Sequence, residues 1–173
     1  MIHEVIGIID FEPEPVTKKH IGQSVWKHVA MIRTDCDMHM FYGWLLKKRF
    51  NLELNKPLRG CHVTFISDKF EKTVFEEAKQ MFNGKSIKFF IDTAPKSNGE
   101  HWWLRVYSPD AENIREAIGL TREPYFGLHL TIGHANEKNI EHSEYILRMC
   151  KMFNLIEYEP RLTQEEQKNL NNY

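Results

Sequence analysis

Two stretches of this chain alternate apolar and polar residues in the same way and carry the same tripeptide. They are Cys61-His62-Val63-Thr64-Phe65-Ile66 and Leu128-His129-Leu130-Thr131-Ile132-Gly133. Alternation is the period of a half-buried strand, on which side chains two apart share a face. Each stretch therefore commits a histidine and a threonine to one face. The other face takes Cys61, Val63 and Phe65 in the first copy, and Leu128, Leu130 and Ile132 in the second. A sheet covered by helices on one side and open on the other meets that demand.

The neighbouring segments repeat an order of elements. Ile2 to Phe11 reads as a strand, ended by Pro13 and Pro15, with a loop over 12–24. From Val25 the expected order is a strand to Arg33, a helix capped by Thr34 or Asp35 and running to Phe50, the first His-x-Thr strand, a helix from Lys69 to Phe82, and a strand from Ser86 to Thr93. Residues 94–99 read as a turn region. From His101 the same order recurs: a strand to Tyr107, a helix opened by Ser108-Pro109, a strand over Tyr125–Gly133, a helix from Ile140 to Phe153, and a short strand over Leu155–Glu159. The expectation is an α+β fold of two pseudo-symmetric β-α-β-α-β lobes, with antiparallel sheets flanking a central cleft. Lobe one covers about residues 25–93 and lobe two about 101–159. The whole chain, 1–173, is then one bilobal domain, with a polar C-terminal helix or tail over 161–173.

The net charge is −1. Proteins that live on long nucleic acid carry a basic excess, because phosphate neutralisation supplies most of that affinity. A nucleotide ligand of this chain is therefore expected to be short. Three cysteines, with no Cys-x-x-Cys, fit a reducing cytoplasm rather than a disulfide framework. Neither a signal peptide nor an apolar run long enough for a membrane span is legible. Asp35, Cys36, Asp37 and His39 bring metal-ligating types together, but their place at a helix start accounts for the aspartates, and no metal or other cofactor is expected.

Two imidazoles and two hydroxyls facing one cleft suit the cleavage of a phosphodiester. Imidazole titrates near neutrality, so one histidine can act as general base and the other as general acid. Threonine hydroxyls can donate to the non-bridging oxygens where charge accumulates. The candidates are His62, Thr64, His129 and Thr131; which histidine is acid and which is base stays open. On the strand from His101, the triplet Trp102, Leu104 and Val106 should face the helices. That turns Trp103, Arg105 and Tyr107 to the cleft, Arg105 to hold phosphate and the two aromatics to stack on a base. Lys88 is a weaker candidate of the same kind.

The paired motifs, with the flanking Cys61-His-Val-Thr-Phe-Ile66 and Gly127-Leu-His-Leu-Thr-Ile-Gly133, resemble the 2H phosphoesterase superfamily over residues 25–160. Within it, the flanks look most like the phage anti-CBASS nucleases, which degrade the cyclic di- and trinucleotide signals of a bacterial immune system. The resemblance implies a metal-independent nuclease working in the host bacterial cytoplasm on a small cyclic oligonucleotide, without a membrane partner. It also points to an acidic base contact near the C-terminus, for which Glu157 is the candidate. Two alternatives stand beside this reading: a 2′,3′-cyclic phosphodiesterase acting on RNA ends or 2′–5′ oligoadenylate, and a nucleotide-binding protein without turnover. Oligomeric state is not legible.

Overall fold

A computed structural model of the chain describes residues 1–13, 29–67, 72–152 and 157–158. The elements follow one another as β1 (Ile2–Phe11), β2 (Ala30–Arg33), α1 (Met38–Phe50), β3 (His62–Ile66), α2 (Lys72–Phe82), β4 (Ser86–Ser97), β5 (His101–Tyr107), α3 (Pro109–Ala117), β6 (His129–His134), α4 (Ile140–Met152) and β7 (Glu157–Tyr158). The fold is mixed α+β. Strand order is β1-β2-β3-β6-β5-β4-β7, and β1 also pairs with β4. The first six strands thus close into an antiparallel barrel. β7 joins β4 in parallel, outside the ring.

This closure corrects the expected pair of separate sheets. β4 was expected in the first lobe, yet its neighbours are β5, β1 and β7. The reason is local. Asn98 Oδ1 accepts from the backbone N–H groups of Glu100 and His101, at 3.1 and 2.8 Å, and Gly99 takes φ 95°. This Asx turn folds β4 back onto β5 as a hairpin, and β4 runs on to Ser97 through the segment expected as a turn. The repeat therefore begins one strand earlier than the sequence suggests. Its units are β1-β2-α1-β3-α2 and β4-β5-α3-β6-α4.

The units match in register. In the first, Met31, Ile32 and Arg33 pair with Thr64, Val63 and His62, with an irregularity before Met31 where Ala30 meets Ile66. In the second, Trp103, Leu104 and Arg105 pair with Thr131, Leu130 and His129, with an irregularity before Trp103 where Trp102 meets Gly133. The units also exchange cover. α1 packs on β6, and α3, packed on β4 of its own unit, also reaches β3. Buried Arg115 of α3 donates to the Phe65 carbonyl of β3 at 2.7 Å and to the Thr121 carbonyl at 2.7 Å.

The apolar strand face and the inner faces of the helices form one core. It includes Ile32, Val63, Leu104 and Leu130 from the strands, Tyr42 and Leu46 from α1, Phe75 from α2, Ala111 and Ile114 from α3, and Ile146 from α4. Trp102, Leu104 and Val106 are buried as expected, and Trp102 Nε1 donates to Ser143 Oγ of α4 at 2.8 Å. Ser108 caps α3, accepting from Ala111 N–H at 3.3 Å. Helix α1 instead starts after Asp37, whose side chain makes no capping hydrogen bond; Thr34 Oγ1 accepts from Cys36 N–H, just before the helix. Cys36 and Cys61 are free thiols with sulfurs 3.1 Å apart. Among the described residues no helix is long and apolar enough to cross a membrane. The strand over 25–28, the first residues of the helix from Lys69 and the tail over 161–173 lie outside the described residues.

Candidate active site

β3 and β6 lie side by side and antiparallel, with Val63 opposite Leu130. Both of these are fully buried, while His62, Thr64, His129 and Thr131 are half-buried on the other face. One step to either side of the Val63–Leu130 pair, antiparallel register sets His62 across from Thr131 and Thr64 across from His129. The two histidines then occupy one diagonal of a square and the two threonines the other. Cβ atoms on such a diagonal stand about 7–8 Å apart. Two imidazoles at that spacing can bracket one tetrahedral phosphate.

The two rings are held alike. His62 Nδ1 lies 2.9 Å from the Gly60 carbonyl, and His129 Nδ1 lies 3.0 Å from the Gly127 carbonyl. A carbonyl only accepts, so Nδ1 carries the proton in both rings. In a neutral ring this leaves the lone pair on Nε2, the tautomer a general base needs. Both glycines have positive φ, 68° at Gly60 and 65° at Gly127, which aims each carbonyl back at its histidine. Both copies of the motif are therefore Gly-x-His-x-Thr, and the glycine in both flanks was the legible sign of it.

Burial holds His62 below its ordinary value near 6.5. The Gly60 carbonyl opposes this, and the charges of Arg59, His129 and Arg33 reinforce it. His62 is thus neutral at pH 7. These influences also place Arg59 and Arg33 near His62, and sequence reasoning missed both residues. Arg33 is the cross-strand neighbour of His62, as Arg105 is of His129. The polar face therefore reads in two rows across β2, β3, β6 and β5: Arg33, His62, Thr131, Trp103, and Met31, Thr64, His129, Arg105. Each row is roughly the other reversed. An apolar-apolar-Arg triplet recurs on β2 and β5, but only the register makes it part of the site.

Arg105 is half-buried beside His129 and ion-paired with Glu123. Its Nη1 lies so near Gly127 that a Cβ there would come within 2.4 Å. Arg33 pairs with Asp10 at 2.6 Å. Trp103 borders Thr131, half-buried. Tyr107 lies one step further out, exposed, opposite Phe90, with the Arg105 guanidinium 6.0 Å from its ring centre. Lys88 is engaged by Glu4 at 3.1 Å on the β1–β4 side, away from the motifs. Glu157 pairs through its backbone with Lys96, on the strand beyond β4; its side chain lies outside the described residues. β7 is thus three strands from β6.

Among the described residues no group of three or more His, Cys, Asp or Glu is disposed to hold a metal ion. His39 of the Asp35–His39 cluster is buried, with Nδ1 lacking a hydrogen-bond partner, and its burial lowers its pKa. Compared with protein-family models, curated proteins and solved structures, the chain matches none.

Proposed function

We propose that the chain is a metal-independent phosphodiesterase of the 2H type that opens a 3′–5′ linkage of a cyclic di- or trinucleotide, of the kind used as bacterial immune signals. The observation that carries the reading is the β3–β6 register, which sets two similarly held imidazoles diagonally across a square whose other corners are hydroxyls. His62, kept neutral by burial, removes the proton of a ribose 2′-hydroxyl. The 2′ oxygen attacks phosphorus, and the bond to the 5′ oxygen breaks. His129 in its protonated form delivers a proton to that 5′ oxygen. An imidazolium donates from both ring nitrogens, so the Gly127 carbonyl suits this role equally. Thr64 and Thr131 donate to the non-bridging oxygens. The product ends in a 2′,3′-cyclic phosphate.

The test is incubation with 3′,3′-linked cyclic dinucleotides in EDTA, with products identified by mass. A linear product bearing a 2′,3′-cyclic phosphate is expected. His62→Ala and His129→Ala should each slow its formation about 10²- to 10⁴-fold, the usual contribution of a positioned acid or base. Cleavage that requires added metal, or that survives both substitutions, refutes the mechanism. Turnover of a 2′,3′-cyclic mononucleotide alone would move the assignment to RNA-end hydrolysis.

A further inference from the structure

The two histidines are nearly equivalent, but the cationic groups around them are not. On the His62 side stand Arg33, cross-strand on β2, and Arg59, three residues before the histidine. On the His129 side stands Arg105, and the position matching Arg59 is the exposed Phe126. Arg59 donates from Nη1 to the Pro13 carbonyl at 3.1 Å and its Nε and Nη2 are shut off from solvent, so it offers the site its positive charge rather than a donor. Arg33 is steadied by Asp10 through Nε. A guanidinium has five donors in a fixed fork, so one held at Nε can still present its terminal nitrogens to an anion.

Resting on the mechanism proposed above, the base side of the site has a definite place along a nucleotide chain. The ribose that loses its 2′ proton to His62 lies on the His62 side of the scissile phosphate. The next phosphate on that side is the one esterified to the 5′ oxygen of the same ribose. We infer that Arg33 is the donor of a second phosphate subsite, with the charge of Arg59 behind it, which takes the 5′-phosphate of the nucleoside whose 2′-hydroxyl attacks. The substrate class is then a compact oligonucleotide with phosphates on both sides of one nucleoside. A cyclic dinucleotide has this feature, with its second phosphodiester filling the subsite. A 2′,3′-cyclic nucleoside monophosphate lacks it.

The decisive comparison uses two linear probes that differ in that phosphate alone: adenylyl-(3′→5′)-adenosine with and without a 5′-phosphate, and the guanosine pair alongside. The native protein should favour the 5′-phosphorylated probe at least 10-fold in kcat/KM. Arg33→Ala and Arg59→Ala should each reduce that preference several-fold, and the double variant should bring the ratio close to one. Arg33→Lys should retain part of it. The same ratios are read as equilibrium affinities in the His62→Ala, His129→Ala protein, which needs no turnover. Absence of cleavage with a binding preference that depends on Arg33 and Arg59 sinks the catalytic reading and leaves the subsite standing. A native protein indifferent to the 5′-phosphate, or a preference that survives the double arginine variant, overturns the subsite.

Discussion

At the scale of single residues, the site depends on two glycines as much as on two histidines. Gly60 and Gly127 each hold positive φ and offer a carbonyl to the imidazole two residues on. Alanine in that conformation costs about 1–2 kcal/mol. At Gly60 a Cβ meets nothing within 4 Å, whereas at Gly127 it would strike the Arg105 guanidinium at 2.4 Å. The far end of a flexible side chain can move aside, so Gly127→Ala should cost about as much stability as Gly60→Ala but displace Arg105 and lower kcat/KM further; unfolding midpoints and kcat/KM of the two variants check both points. His62 carries its own prediction. Burial favours its neutral form, so base function is lost only as pH falls through a value below 6.5. The acid limb of kcat/KM should lie on that side and move upward in Arg59→Ala, which removes a positive charge that helps keep the ring neutral. The histidines and threonines were legible because alternation alone brings them to one face. Arg33 and Arg59 were not. What brings Arg33 to His62 is the pairing of β2 with β3, and register between strands far apart in sequence leaves no local trace.

At the scale of elements, helices and strands were read closely wherever chain-local chemistry fixes them. Ser108 and Pro109 mark the start of α3, and the alternation around the motifs marks β3 and β6. The reading failed where one element serves two partners. β4 pairs with β1 over 86–92 and with β5 over 90–97, so assigning it to one half split a continuous barrel. The exchange of α1 and α3 between the units was equally hidden, because helical periodicity says which face is buried but not against what. Arg115 makes that exchange measurable. Its guanidinium reaches the buried carbonyl of Phe65 and the carbonyl of exposed Thr121, and Arg115→Met would leave the Phe65 acceptor buried without that donor. One such group costs about 1–3 kcal/mol, and a loss of that size in denaturant-induced unfolding is expected. An unchanged midpoint would show that α3 does not depend on this tie to β3.

For the whole molecule, closure of the barrel makes stability a property of both halves together. His62 and His39 are each held below their ordinary pKa, mainly by burial. Below pH 6.5 the unfolded chain therefore binds more protons than the folded one, and stability falls as pH falls. Thermal unfolding should give a lower midpoint at pH 5.5 than at 7.5, and the gap should narrow in His39→Gln. The near-symmetry of the two rows has a different consequence. A cup with two equal halves offers the same groups to a ligand turned end for end, yet a nucleotide strand has a direction, 5′ to 3′. Two positions break the tie: Arg59 against Phe126, and half-buried Trp103 where the other row has the fully buried Met31. The sense in which a strand is laid across the face is thus carried by Arg59, Phe126 and Trp103, outside the repeated tripeptide. Exchanging Arg59 and Phe126 would be the way to reverse it.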